Sequence, residues 1–161
     1  MATAKKHIDI EVPVRTAYDQ WTQFEDFPRF MEGVGSVKQL DDKRLHWKAT
    51  VGGRLQEWDA EITEQRPDEI IAWRSIGGTP NAGTVTFAPS EKGTRLSLML
   101  EYEPRGAAEK TGDILGVLDR RVQGDLARFK RFIEERREPT GAWRGTVEGG
   151  RVEGTETPHR V

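Results

Sequence analysis

From Gly112 to Arg137 apolar residues recur at spacings of three and four, so that Leu115, Leu118, Val122, Leu126, Phe129 and Ile133 fall on one stripe. The pattern predicts a single amphipathic helix of roughly 37 Å at 1.5 Å rise per residue. Upstream the period changes to two. Lys6 to Val14 alternates His7, Asp9 and Glu11 against Ile8, Ile10 and Val12, a half-buried strand ended by Pro13. Thr16 to Asp19 reads as a capping box opening a short helix that carries Tyr18, Trp21 and Phe24. Asp26-Phe27-Pro28 ends it, and Pro28 starts a second small helix through Arg29, Phe30 and Met31. Strands then follow at about 34–40, 44–52, 54–65, 70–76, 82–88 and 94–103, and glycine- and proline-bearing turns separate the last five.

Period two also assigns the faces. Leu45, Trp47, Ala49 and Val51 share one side of their strand, as do Trp58, Ala60 and Ile62 of the next, while Glu57, Asp59 and Glu61 take the opposite, wet side. Ile71, Trp73 and Ser75, then Val85 and Phe87, then Leu96, Leu98, Leu100 and Tyr102 continue the apolar face across an antiparallel meander. The order β-α-α-β6-α is α+β: one sheet and one long helix that must cover it.

Composition narrows what such a layer can do. A net charge of −2 with 32% charged residues gives no basic excess for nucleic acid or anionic lipid. No run of 18 apolar residues predicts membrane insertion, and no signal peptide is read at the start. The absence of cysteine excludes disulfides, thiolate catalysis and cysteine-based metal sites, and fits a cytoplasmic protein. Residues 138–161, with Pro139 and a scatter of glycines, threonines and mixed charge, predict a disordered tail after a domain spanning 1–137.

The element order, the phrase Phe24-Glu25-Asp26-Phe27-Pro28-Arg29-Phe30-Met31, the run Ile71-Ala72-Trp73-Arg74-Ser75 leading to Asn81-Ala82-Gly83-Thr84-Val85-Thr86-Phe87, and the long final helix together resemble the START-like helix-grip superfamily. Over about residues 5–137 the chain looks most like the branch of bacterial polyketide cyclase/dehydrase and lipid-transport proteins. The resemblance implies a bent antiparallel sheet gripping the C-terminal helix, with an apolar cavity between them. Carriers, receptors, cyclases and oxygenases all use that fold, so function has to be argued from the site.

Three histidines, two on outward strand positions (His7 and His46) and one in the tail (His159), make no metal site, and the iron triad of the oxygenase branch is missing. No metal or cofactor is expected. Trp47, Trp58 and Trp73 on consecutive strands face one way with Phe87, either as core filling or as an aromatic cavity wall for a lipid, polyketide, quinone or similar aromatic. Ser75, Leu98 and Leu100 from the strands, Leu118 and Val122 from the helix, and Phe30 and Met31 by analogy with the superfamily's pocket rim complete the expected ligand-binding set. Arg74, if a bulge turns it inward, and Tyr102 are the candidates to polarise a carbonyl. Gly112, Gly116 and Gly124 weaken the helix, pointing to close packing or a bend. The expected partner is a hydrophobic small molecule held by a carrier or a polyketide cyclase/dehydratase-like enzyme that works mainly by positioning. The alternative is an interaction or stress-related protein with a filled core. An oligomer is compatible with either.

Overall fold

The computed structural model describes residues 2–51, 53–77, 80–103 and 112–153. Strands β1 (Ala2–Ile10), β2 (Val34–Gln39), β3 (Arg44–Val51), β4 (Arg54–Arg66), β5 (Ile70–Ile76), β6 (Asn81–Ser90) and β7 (Gly93–Tyr102) pair antiparallel in the order β1-β7-β6-β5-β4-β3-β2. Helix α1 (Val14–Trp21) and a 3₁₀ turn (Phe24–Arg29) bridge β1 and β2, and the long helix α2 (Gly112–Arg136) packs along β1 and β7. β2 to β7 match the predicted spans within a residue or two because hydrophobic alternation and turn chemistry agree there. The stripe on α2 is buried as read: Leu118, Val122, Leu126, Phe129 and Ile133 all enter the core, while the side chain of Leu115 lies outside the described residues.

Local signals misled at three places. β1 begins and ends earlier than its alternation suggests, because Val12 is buried where the chain turns into α1. α1 starts at Val14 after an extended Pro13 and has no side-chain cap, so Thr16 does not cap it. The Phe27-Pro28 segment winds as a 3₁₀ turn, in which Phe30 N–H donates to the Phe27 carbonyl at 3.1 Å.

The larger correction concerns the segment after Arg137, which is ordered through Glu153. Residues 154–161, His159 among them, lie outside the described residues. β8 (Thr146–Glu148) and β9 (Arg151–Glu153) form a small hairpin, and Val147 of β8 pairs with Gln65 of β4. β3 runs out at the Arg44–Glu61 pair, so the last stretch of β4 has a free edge that this hairpin covers. Trp143 is wholly buried. Thr140 N–H donates to Gln20 Oε1 at 2.9 Å, Arg144 Nη1 reaches Asp19 Oδ1 at 2.5 Å, and Trp143 N–H donates to Thr22 Oγ1 at 3.2 Å. α1 is thereby enclosed on both sides, which explains how a surface-looking sequence buries Asp19, Gln20, Thr22 and Gln23.

Candidate functional site

The space between sheet and α2 has a filled half and a hollow half. On the side of α1, Tyr18, Trp21, Phe24, Phe27, Phe30, Phe87 and Phe129 pack edge-on and tilted, with centroids 4.9–6.5 Å apart. That cluster claims Phe30 and Phe87, which are not among the residues lining the cavity of the other half. Val122 is also buried away from the cavity wall.

The hollow half holds a cavity of about 100 Å³. Trp47, Trp58 and Trp73 form one wall, as the strand phase predicts. The ring of Trp47 lies parallel to that of Trp58 at 6.0 Å and an interplanar angle of 2°, and near-parallel to that of Trp73 at 6.2 Å and 18°. Leu98, Leu100 and Tyr102 of β7 add a second wall, and Leu118 of α2 and Met31 beyond the 3₁₀ turn add a third. The wall is apolar; the polar atoms of three of its side chains, Trp47 Nε1, Trp58 Nε1 and Tyr102 Oη, are enclosed with no hydrogen-bond partner among the described residues.

Two other expected groups stay out of the cavity. Arg74 is exposed on the outer face, opposite Glu61, because the bulge in β4 falls between Ile62 and Glu64, beyond the Glu61–Arg74 pair, and leaves the alternation of β5 intact. Ser75 turns its hydroxyl to Asn81 N–H at 3.1 Å and so ties off the β5–β6 connection. His46 faces outward as read. Its two ring nitrogens meet Asp59 at 2.6 Å and Glu57 at 2.7 Å, which raises its pKa above the ordinary histidine range.

The most consequential wall residue is one that sequence reading passed over. Asp125 of α2 lines the cavity and is 4% exposed. Burial pushes its pKa up from 3.8 to about 6, although Arg128 Nη2 donates to its Oδ1 at 2.6 Å and Glu32 N–H donates to the same oxygen at 3.1 Å. Arg128 Nε also holds the Phe30 carbonyl at 2.8 Å, and Arg121 Nη2 holds the Thr50 carbonyl at 2.7 Å. The helix is thus pinned at the cavity to the corner that carries Met31. Asp125 falls beside the apolar stripe at Val122, Leu126 and Phe129, so its i−3, i+1 and i+4 neighbours are buried and it must be too. That spacing was the available signal. Val34 was missed for another reason: a bulge between Val34 and Ser36 shifts the phase of β2. Gln56, Ala49, Asn81, Ala82 and Glu101 also contribute to the lining.

A family model described as polyketide cyclase/dehydrase and lipid transport matches residues 10–131. An uncharacterized 17.2 kDa protein of Streptomyces lincolnensis is 49% identical over 149 residues, which cover 91% of this chain and 99% of that one. Among solved structures, the DR_A0006 protein of Deinococcus radiodurans aligns with a TM-score of 0.68 at 29% identity, covering 83% of this chain and 98% of that one. The Zhui aromatase/cyclase of Streptomyces sp. R1128 aligns with a TM-score of 0.71 at 15% identity, over 88% of this chain and 98% of the other, a likeness of fold. No helix among the described residues is long and apolar enough to cross a membrane.

Proposed function

This chain belongs to the polyketide cyclase/dehydrase and lipid-transport family, and from that premise we propose that it binds a hydrophobic small molecule in the hollow half between β3–β7 and α2. The observation that carries the reading is the division of the interior. Seven aromatic rings fill one half tightly, whereas three indoles at the other half form the wall of a cavity. A collapsed core would have drawn Trp47, Trp58 and Trp73 against α2. The ligand is a lipid, polyketide, quinone or similar aromatic, and its burial is driven by about 25 cal/mol per Å² of apolar area removed from water. We place this activity in the cytoplasm and assign no nucleic-acid partner.

A second reading, turnover rather than carriage, rests on Asp125. A carboxyl that titrates near pH 6 in an apolar wall holds both protonation states in useful amounts near neutrality. Both of its bonds use Oδ1, so Oδ2 is the oxygen able to carry a proton to or from a ligand carbonyl or its adjacent carbon. That is the step an aldol closure or dehydration requires, with the cavity supplying the fold of the chain. Tyr102 is the second polar group of this reading.

Native mass spectrometry of the purified protein tests the common premise. A retained small molecule, lost in Trp58→Ala, is the expected result. An apo mass together with no binding of any lipid, quinone or aryl ketone in titration overturns it. Asp125→Asn then separates the two readings, since it abolishes turnover of a bound ligand but leaves carriage intact.

A further inference from the structure

The face of the sheet turned away from both helices carries little charge at its centre. α1 packs on the other side through Tyr18 and Trp21 against Phe87, and α2 does so through Leu118. On the outer side β5, β6 and β7 present Ile70, Ala72, Ala82, Thr84, Thr86 and Met99, all at least partly exposed. Two charges interrupt this neutral patch. Arg74 of β5 and Glu101 of β7 lie in one row on either side of Ala82, about 10 Å apart at two strand spacings. β7 keeps its register from Gly93 to Tyr102, so Glu101 points away from Leu100 and Tyr102 and borders the cavity only through its main chain. Among the described residues neither charge has an ion-pair partner.

The two charges meet when two copies stack sheet on sheet. A two-fold axis parallel to β6, lying between the sheets, turns one copy over so that its β7 lies on β5 of the other and every row keeps its height. Arg74 then faces Glu101 of the second copy, and symmetry makes the contact twice. Ala82 and Thr84 meet their own counterparts at the axis, and Met99 covers Ala72. One strand further out, Lys5 of β1 comes over Glu64 of β4. His7 comes over Arg66, which Glu64 and Glu69 already pair within its own chain. The other in-plane axis, perpendicular to the strands, lays β5 on β5 and β7 on β7, so Arg74 and Glu101 never meet. Stacked sheets cross at roughly 30°, which displaces the rows least near the axis, where these contacts lie.

We propose that this outer face joins two copies of the chain through reciprocal Arg74–Glu101 pairs around a neutral centre on β6. The patch is about 19 Å across five strands and about 20 Å along three rows, or roughly 400 Å² per copy. That is at the small end of specific interfaces, so the dimer is weak and forms as concentration rises. Each cavity lies on the opposite face of its sheet and is left free, whatever it binds.

Sedimentation equilibrium of the full chain, across micromolar to millimolar concentrations at low and at high salt, tests this. The wild-type mass rises towards that of a dimer with concentration, and less so at high salt. Arg74→Glu and Glu101→Arg each raise the dissociation constant at least about tenfold, with melting temperatures of the dilute proteins unchanged. An equimolar mixture of these two variants dimerises to within about threefold of wild type, because each supplies the charge the other has lost. Thr84→Lys sets two like charges together on the axis and abolishes the dimer. A wild-type chain that stays monomeric over the whole range at low salt overturns the proposal. So does a dimer that survives both reversals or Thr84→Lys, or one that the mixture fails to restore, since its contact then lies elsewhere.

Discussion

The indole of Trp73 occupies the space where its cross-strand partner Gly83 would carry a Cβ. Trp73 is on β5 and Gly83 on β6, and the absence of a side chain lets the ring lie against the sheet instead of standing into the interior. The cavity beside it depends on that contact. The glycine is not there for a turn, since it sits in mid-strand without a positive φ.

Gly83→Ala is therefore expected to lift the Trp73 ring into the cavity, close part of its volume and strain the β5–β6 pair. The cost is about 1–3 kcal/mol of stability, as for other overpacked cores, with a loss of ligand affinity beyond that of a neutral surface change. Denaturant unfolding and titration of the same ligand read the two effects separately. Gly83→Ala with wild-type stability and affinity would show that the ring has another place to go.

How far the sequence reached is clearest at the indoles and at Asp125. Strict alternation placed Trp47, Trp58 and Trp73 on one wall because β3, β4 and β5 are regular through those positions and their turns set the register. Alternation does not carry across the bulges at Val34/Ser36 and Ile62/Glu64, which shift the phase by one residue; Gly35 is the local sign of the first, and no residue type announces the second. Phe87 shared the predicted face, but which half of the interior it joins is decided by α1, a contact distant in sequence. Asp125 was hidden by its chemistry: a carboxylate beside an apolar stripe reads as solvated until packing shows otherwise. The docking of residues 138–153 was the hardest to read. Its composition resembles a linker, and the signal lay elsewhere, in the polar residues of α1 that needed partners.

Trp143 anchors that docked segment, with Arg144 bridging Asp19 and Asp68 at 2.5 and 2.8 Å and lying over the Tyr18 ring at 5.5 Å. Trp143→Ala is expected to destabilise by about 3–5 kcal/mol, the range for emptying a fully buried aromatic site. Truncation after Arg137 is expected to be worse, because it also strips partners from Asp19, Gln20 and Thr22 and uncovers the edge of β4. Thermal melting and proteolysis of the two proteins check this. Equal stability of the truncated and full chains would show the segment to be an ornament.

The glycines of α2 make the opposite prediction. Among the described residues a Cβ at Gly116 would meet only Arg120 Nη1, at 3.5 Å, which is ordinary contact with its own helix. Close packing therefore does not explain this residue. Gly116→Ala should stabilise by about 0.5–1 kcal/mol through helix propensity alone. Gly124 is tighter, with Arg128 Nη1 at 3.0 Å, and since that arginine holds Asp125 its replacement should gain less or lose. If Gly116→Ala instead lowers stability, the helix must bend at that point during folding or binding. Chemical denaturation of the two variants decides it.

Stability against pH separates two groups that titrate in neighbouring windows. The folded protein binds a proton at Asp125 more tightly than the unfolded chain does, since burial raises its pKa from 3.8 to about 6. For an acid shifted upward, stability is highest below the unfolded pKa and falls as pH rises through roughly 4 to 6, here by about 3 kcal/mol in all. Asp125→Asn should erase that fall, so that the variant gains on wild type by up to this amount between pH 4 and pH 8. His46 is also shifted upward, by hydrogen bonds first to Asp59 and then to Glu57. As a base, it contributes stability that is fully present below its unfolded pKa of about 6.5 and is lost as pH rises through its folded value. That loss belongs to the solvent side of the sheet and should shrink with salt. Melting temperatures taken across pH for wild type, Asp125→Asn and His46→Gln resolve the two limbs, and a wild-type profile flat between pH 4 and 6 would mean that Asp125 is not held in the apolar wall. On the turnover reading the same carboxyl would link stability to chemistry, because the protonation that steadies the fold near pH 5 is the one such a step would draw on near pH 7.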